Sequence, residues 1–338
     1  MLESLTSWIV GAVIFGTVIM FGALGEILTE KAGHLNLGVP GLMFIGGFAS
    51  WAVAFLYESG TDEPSKFLMI LLPLLAGFGA AAVAGLLYAF FVTTLRANQN
   101  VTGLALTRLG VGIGSFGGMY VLVKSGKSFG KAVNTYDVFA ENLHSMFDFP
   151  EGSVVEAISR MLLSYGFMVY LAIICAVLIH LFLSKTRPGL NLRSVGENPA
   201  TADAAGVNVA KYKYLATVVG AGVSGLGGTF YILVFCNGGW STNNNMEALG
   251  WLAVALVIFA TWRPLNTIWG SYLFAMLFWA YAYLPGVIGL KVSTPVNDLL
   301  QMLPYVVTIV VLIITSTRKN RDNQAPASLG LSYFREDR

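Results

Sequence analysis

The feature that most constrains this chain is a series of nine apolar stretches separated by polar segments. A helix that crosses a lipid bilayer needs about 20 mostly apolar residues, and most of these stretches approach or exceed that length. Only 11% of the residues are charged, against about 25% in an ordinary soluble domain. The sequence therefore predicts an all-α, polytopic transmembrane helical bundle of about nine spans (eight to ten), at residues 8–25, 37–57, 67–95, 101–123, 165–183, 215–235, 249–262, 265–284 and 299–315.

The distribution of lysine and arginine predicts how the spans are oriented. Cytoplasmic loops are enriched in basic residues, and alternating the nine spans places fourteen of the 20 basic residues on the side of segment 185–214. We therefore expect that side to be cytoplasmic, with the N-terminus outside and the C-terminus inside. Residues 1–317 form the predicted membrane domain, and the polar tail 318–338 is expected to be cytoplasmic and partly disordered.

Residue types that carry catalysis or bind metals are sparse and scattered. His34, His144 and His180 lie far apart, without the spacing of a zinc site, so we expect neither a metal site nor an enzyme. The GxGxxG pattern at 112–117 lies inside an apolar stretch and lacks the preceding strand of a dinucleotide site. The basic residues are spread over many loops, and no nucleic-acid partner is expected. The predicted spans hold no carboxylate away from their ends, which argues against an ion-coupled secondary carrier.

The segment 185–214 is the longest polar and basic stretch in the interior of the chain, and it contains the signals of a short helix. Asn198 can cap the helix, Pro199 suits its first position, 201–205 can continue it, and Gly206 can end it. A helix of about two turns is unstable alone, so it must pack against something. The segment is either a solvated connector or a docking element for another subunit.

Two further polar stretches, 25–41 and 97–107, interrupt the apolar pattern. Non-helical backbone at membrane depth is tolerated where it packs in protein or lines a cavity. Neutral amides and hydroxyls there would suit a solute without net charge. The alternative is a pair of ordinary cytoplasmic turns. The candidate pathway residues are Asn36, Asn98, Gln99, Asn100, Thr102 and Thr107.

Several motifs resemble those of permease subunits of ABC importers for ribose, galactosides and nucleosides. Residues 25–41 look like the nucleoside-type motif GExxxE[KR]AGxxNLGxxG, and 97–107 look like NQxx[ST]GLALxN. Residues 189–231 resemble the coupling segment of that family, and 248–259 resemble a further conserved run. The resemblance covers roughly residues 25–284. Pro40 and Thr107 depart from it, because many relatives carry an acidic residue and an asparagine at these positions.

The resemblance implies a permease subunit of an ATP-driven importer, most simply for nucleosides, in a bacterial inner membrane. The alternatives are a simple-sugar importer or a stand-alone carrier. The implied partners are ABC ATPase subunits that carry ATP and magnesium, a second permease subunit that is more often different than identical, and an extracellular solute-binding lipoprotein. No cofactor is expected on this chain. The outer segment 124–164 is either a solvated loop or a docking surface for that lipoprotein. The implied ATPase-coupling residues are Glu197, Asn198, Pro199, Ala202, Ala205 and Gly206.

Overall fold

The computed structural model describes residues 2–127, 129–142, 144, 154–240, 245–288, 294–303, 306–307, 309–310, 313 and 324–334. The named elements of this part are all helical, as predicted. Two of them, Phe90–Thr94 and Tyr231–Phe235, are π-helical turns that extend α3 and α10. The α-helices are α1 (Leu2–Lys31), α2 (Val39–Gly60), α3 (Lys66–Ala89), α4 (Gln99–Lys124), α5 (Val133–Ala140), α6 (Val154–Leu163), α7 (Phe167–Lys185), α8 (Arg187–Glu197), α9 (Pro199–Ala204), α10 (Val209–Phe230), α11 (Met246–Phe259), α12 (Pro264–Ile288) and α13 (Thr294–Gln301).

Six helices of the described part are long and apolar enough to cross a membrane: α1, α2, α3, α4, α7 and α10, the third and last with their π-helical turns. The predicted span 249–262 corresponds to α11, whose 14 residues cover only about 21 Å of a hydrocarbon layer about 30 Å thick. The predicted span 265–284 lies within α12. Much of 299–315 lies outside the described residues, so the count of nine spans stays a prediction.

Close backbone contacts bring α1, α2 and α10 together at the centre of the bundle. A Cβ added at Gly228 of α10 would lie 1.8 Å from the main-chain oxygen of Met43 in α2. A Cβ at Gly25 of α1 would lie 2.2 Å from the main-chain oxygen of Gly220. Small residues permit this approach between helices in lipid, where packing replaces the hydrophobic effect as the main attraction. Helices α3, α4 and α7 lie outside this centre and expose more of their apolar side chains.

The outer segment is more structured than a solvated loop. Helix α5 packs Phe139 into the core, where it is fully buried. The carboxylate of Glu58, at the end of α2, accepts a hydrogen bond from the main-chain nitrogen of Thr135 at 2.5 Å. Helix α6 follows, and residues 143 and 145–153 lie outside the described part. Helix α5 therefore packs one side on the bundle while Asn134 and Asp137 stay exposed, and the docking of a lipoprotein stays a prediction.

The segment 185–214 contains two helices, of which the sequence predicted the second. Helix α9 begins at Pro199, and the side chain of Asn198 accepts a hydrogen bond from the main-chain nitrogen of Thr201 at 3.0 Å. Gly206 follows the helix with a φ of +84°, a conformation that favours glycine. These local predictions are confirmed. Helix α8, with Pro188 in its first turn, was not predicted. We call the end of the bundle that carries α8 and α9 the coupling end.

The part of the tail that the structure describes packs against the coupling end. The main-chain nitrogen of Ser328 donates to the main-chain oxygen of Gly196 at 3.0 Å. The hydroxyl of Tyr333 donates to the carboxylate of Asp203 at 3.0 Å. Residues 324–334 are therefore bound to α8 and α9. Residues 318–323 and 335–338 lie outside the described part, and the partial disorder of the tail stays a prediction.

Candidate functional site

The most constrained polar feature of the molecule is the loop between α1 and α2, residues 32–38, which we call the buried loop. Its main-chain groups are bonded by side chains from distant helices. Gln99 at the start of α4 accepts from the nitrogen of Leu35 at 2.7 Å. Tyr88 of α3 donates to the oxygen of Leu35 at 2.7 Å, and Thr107 of α4 donates to the oxygen of Leu37 at 2.8 Å. These bonds replace the helical bonds that the loop lacks, as buried backbone requires.

Asn36 lies at the centre of the buried loop and is 1% exposed. Its main-chain nitrogen donates to Glu26 at 2.9 Å, and its side-chain oxygen accepts from the nitrogen of Gly38 at 2.9 Å. Its side-chain nitrogen has no hydrogen-bond partner among the described residues. A buried amide donor without a partner is costly. Of the six predicted pathway residues, Asn36 is thus the one with a buried side-chain atom that lacks a partner in the described part of the chain.

Two carboxylates, those of Glu26 and Glu30, lie beside the buried loop, and their burial was not predicted. Helix α1 continues six residues beyond its predicted end at residue 25 and carries Glu26 and Glu30 into the core, where they are 1% and 2% exposed. Trp262 donates its indole N–H to Glu30, and Asn36 donates to Glu26. The sequence predicted no carboxylate in a span away from its ends, and both glutamates lie in the last two turns of α1. These tertiary donors compensate for the loss of water.

His34, also in the buried loop, is bonded through both ring nitrogens. Its Nδ1 lies 2.9 Å from the hydroxyl of Thr217 in α10, and its Nε2 lies 3.3 Å from the hydroxyl of Thr93. Burial, and then the positive charge of Lys213, lower the pKa of His34 well below its ordinary value of 6.5. The imidazole is therefore neutral at pH 7, and it links the buried loop to α3 and α10.

The structure brings together three of the six predicted pathway residues. Asn36, Gln99 and Thr107 meet at the buried loop, although they are distant in sequence. The other three lie on the more exposed start of α4, where Asn98 caps the helix and accepts from the nitrogen of Val101 at 3.1 Å. Thr102 donates to the main-chain oxygen of Asn98. A role in the solute pathway stays a prediction for all six residues: Asn36, Asn98, Gln99, Asn100, Thr102 and Thr107.

The predicted coupling residues lie on α8, α9 and the turn after α9. Ala202 is 4% exposed and packs against Val195 and Val209 inside the chain. Ala205 is exposed. Ala202 therefore supports α9 from behind, and Ala205 lies on a surface open to a partner. The end of α8 also presses on α1, because a Cβ at Gly196 would lie 2.2 Å from the main-chain oxygen of Lys31.

Sequence reasoning missed Glu26, Glu30, Tyr88 and Trp262. The two glutamates were visible only as part of the motif at 25–41, and nothing local to Tyr88 or Trp262 indicates a partner in the buried loop. Among the described residues, no group of three His, Cys, Asp or Glu side chains could hold a metal ion. The site offers neutral donors and acceptors around a pair of carboxyl groups.

Comparison with known proteins gives the chain a family. Residues 8–313 match the model described as "Branched-chain amino acid transport system / permease component". A putative glucose ABC transporter permease, TsgC13 of Haloferax volcanii, is 33% identical over 95% of each chain. The nucleoside ABC transporter permease NupC of Lactococcus lactis is 30% identical over 95% of each chain. The guanosine ABC transporter permease NupQ of Bacillus subtilis is 30% identical over 96% of this chain and 95% of its own.

No solved structure matches the chain significantly. The family model nevertheless covers most of the predicted membrane domain, including the buried loop, α8 and α9. The chain is an integral membrane protein, and the six long apolar helices of its described part fit that assignment. It belongs to the permease components of ABC transporters, in the family of the branched-chain amino acid transport systems.

Proposed function

We propose that the chain is one permease subunit of an ATP-driven importer for nucleosides. The observation that carries the proposal is the 30% identity to two nucleoside-type permeases over nearly the whole chain. The chemistry of the buried loop supports it. Amide and hydroxyl groups such as those of Asn36 and Gln99 can bind the donors and acceptors of a base or ribose without charge. The amide nitrogen of Asn36 is buried without a partner among the described residues, and a solute that reaches it would satisfy that donor.

We further propose that ATP hydrolysis occurs on separate ATPase subunits that bind α9 and the surface around Ala205. A displacement of α9 would be transmitted to the buried loop through contacts between main-chain atoms. Helix α9 packs on α8, and α8 meets the end of α1 at Gly196 and Lys31. The main-chain nitrogen of Gly330 donates to the oxygen of Gly33, which links the tail to the same place. Transport then follows from two arrangements that the solute and the ATPases bind with different affinity.

The remaining partners are a second permease subunit and an extracellular solute-binding lipoprotein. The exposed apolar side chains of α4, such as Phe116 and Val123, need lipid or another helix to cover them. A second protein of L. lactis, the nucleoside ABC transporter permease NupB, is 22% identical over 75% of this chain and 67% of its own length. Two nucleoside permeases of one organism thus match the chain, which supports pairing of two different subunits.

A sugar importer is the second candidate, because a putative glucose permease is 33% identical to the chain. A secondary carrier is the third, because Glu26 and Glu30 are buried carboxylates of the kind that ion-coupled carriers use. The three functions differ in solute and in energy source. One experiment can therefore separate them.

The experiment is uptake into proteoliposomes that contain the purified complex with its co-purifying subunits. We expect labelled uridine to enter when ATP is supplied on the ATPase side together with the solute-binding protein. Entry of glucose alone would indicate the sugar function. Uridine uptake that needs no ATP and follows an ion gradient would contradict the ABC assignment.

The proposed orientation places the coupling end in the cytoplasm and α5 outside. A single cysteine introduced within 133–139 is then labelled by an impermeant reagent in intact cells. A cysteine within 324–328 is labelled only after permeabilisation. Equal labelling of both in intact cells would contradict this orientation.

A further inference from the structure

A cavity of about 450 Å³ lies at the coupling end beside the buried loop. It is bounded by five parts of the chain: the buried loop, the turn after α3, the start of α4 at Gln99, the segment from α9 into α10, and the tail. A volume of this size is typical of a small-molecule site. The side chains that matter here are His34, Thr93, Arg96, Asp203, Lys213 and Tyr333.

Lys213 is the most unusual member of the cavity wall. It is 3% exposed, yet its ammonium makes no hydrogen bond or ion pair with the described residues. A buried charge without a partner is strongly unfavourable, and an ionisable side chain at such a position is a functional candidate by default. Lys213 lines the cavity, so the cavity is the space from which an anion can reach its ammonium.

Two further features make the cavity attractive to an anion. The first is the permanent positive charge of Arg96 in the cavity wall. The backbone of Arg96 has a φ of 57°, which is strained for a residue other than glycine. Its guanidinium lies 4.2 Å from the centre of the Phe334 ring, on the side of the tail. The cavity also includes the first residues of α10, and the N-terminus of a helix favours negative charge. A permanent cation, a buried lysine and a helix N-terminus thus surround one space.

Asp203 is the acidic group in the cavity wall. Its carboxylate accepts a hydrogen bond from the hydroxyl of Tyr333 at 3.0 Å. This bond weakens, but does not remove, the repulsion between the carboxylate and an anion in the cavity. Arg96 and Lys213 together still exceed it by one positive charge. A ligand that combines an anionic group with hydroxyls suits this wall better than a bare anion, because hydroxyls can donate to Asp203.

We propose that this cavity binds the phosphate group of a small phosphorylated molecule, such as a sugar phosphate, and so stabilises the packing of the coupling segment on the buried loop. Arginine binds phosphate oxygens as a fork, and lysine binds them as a point charge. A ligand in this space contacts α3, α10 and the tail at once. It therefore favours the arrangement in which these parts meet and opposes any arrangement that separates them.

The test is equilibrium binding of labelled ribose 5-phosphate to the assembled complex in nanodiscs of neutral lipid. Neutral ribose is the matched probe without a phosphate, and neither probe is an ATPase substrate. We expect saturable binding of ribose 5-phosphate alone. Lys213→Met and Arg96→Gln each lower its affinity about tenfold or more, because each removes a charge-assisted bond to the phosphate.

Lys211→Met is the matched control, because Lys211 is exposed on the same helix and lies outside the cavity wall. It should bind ribose 5-phosphate as the unchanged complex does. Thermal unfolding gives an independent measurement. Lys213→Met should be at least as stable as the unchanged complex without ligand, and should lose the rise in melting temperature that the sugar phosphate causes. A variant that merely misfolds would instead be less stable without ligand.

A second set of nanodiscs containing anionic lipid identifies the source of the phosphate. If anionic lipid competes with ribose 5-phosphate in the unchanged complex, the site also binds the phosphate of a lipid headgroup. Competition by inorganic phosphate would likewise show that the site recognises the phosphate group. The proposal is overturned if ribose 5-phosphate does not bind, or if Lys213→Met and Arg96→Gln bind it as tightly as the unchanged complex.

Discussion

Replacement of Gln99 by leucine tests whether the buried loop is part of the transport machinery. Gln99 is 3% exposed, and its side-chain oxygen accepts from the nitrogen of Leu35 at 2.7 Å. Leucine has a similar size and no polar atom, so Gln99→Leu leaves that buried N–H without a partner. The bond from the side-chain nitrogen to the oxygen of Leu331 is long, at 3.4 Å, and its loss adds little.

The expected magnitude follows from the group left unpaired. An unsatisfied buried donor costs about 1–3 kcal/mol. If that cost falls on the loop arrangement seen here, the population of the arrangement drops by a factor of about 5–150. The initial rate of labelled uridine uptake, measured per complex inserted in the membrane, should decrease by a factor in that range. The complex should still assemble, because the loop is bonded independently by Tyr88 and Thr107.

Asn100→Leu is the matched control for this prediction. Asn100 is the next residue of α4, is exposed, and makes no side-chain hydrogen bond with the described residues. Asn100 is itself a predicted pathway residue, so the comparison is one of degree: Asn100→Leu should lower uptake less than Gln99→Leu, because only Gln99 bonds the buried loop. Normal uptake by Gln99→Leu would refute the role of the buried loop. An equal loss in both variants would assign the effect to leucine at the start of α4 and not to the bond with Leu35.

Three further predictions concern packing, coupling and pH. Gly228→Ala should lower the stability of the complex by about 1–3 kcal/mol or more, because the added Cβ would lie 1.8 Å from a main-chain oxygen. Gly112→Ala is the control: its added Cβ would meet no atom within 4 Å, so it should be neutral or stabilising by up to about 1 kcal/mol. Equal melting temperatures of the two variants would contradict the packing. Ala205→Trp should abolish pull-down of the ATPase. Asn198→Ala, which loses a helix cap that contributes about 1 kcal/mol, should retain most of the pull-down. Full uptake by Ala205→Trp would show that segment 185–214 is only a solvated connector. The pKa of His34 is lowered below 6.5 in the fold, so the unfolded chain binds more protons than the folded chain below that pH. The free energy of unfolding should therefore decrease by up to about 1.4 kcal/mol per pH unit as the pH falls from about 6.5. His34→Gln should flatten that part of the pH profile of the melting temperature, and an unchanged slope would contradict the shift.

Several features follow from local sequence alone, and the structure or the comparisons with known proteins confirm them. Apolar length and low charge predicted an all-helical membrane protein, because each spanning helix satisfies its own backbone bonds. The helix α9 was predicted from Asn198, Pro199 and Gly206, because a capping side chain, a preset φ and a left-handed glycine act within a few residues. The motifs at 25–41 and 97–107 likewise indicated the permease family, because a motif is read from a short run of residues.

Other features depend on contacts between distant parts of the chain, and local rules misjudge them. The polar run after residue 25 predicted the end of the first span, yet α1 continues because Trp262 and the backbone at Asn36 satisfy Glu30 and Glu26. The choice of Gln99 over Asn100 as the residue that bonds the buried loop is also tertiary. Both are polar residues at the start of α4, and only the packing of α4 on the loop decides which one is buried.

The class of the protein, its long apolar helices and its family can be predicted from composition, short-range periodicity and motifs. Which polar groups are buried, and with which partners, depends on how distant parts of the chain pack together. Lys213 shows the reason most clearly: in the sequence it is one more basic residue near a helix start, and only the folded chain encloses it beside Arg96 in a cavity without a partner among the described residues. Burial and pairing are set by long-range contacts, and no local pattern encodes them.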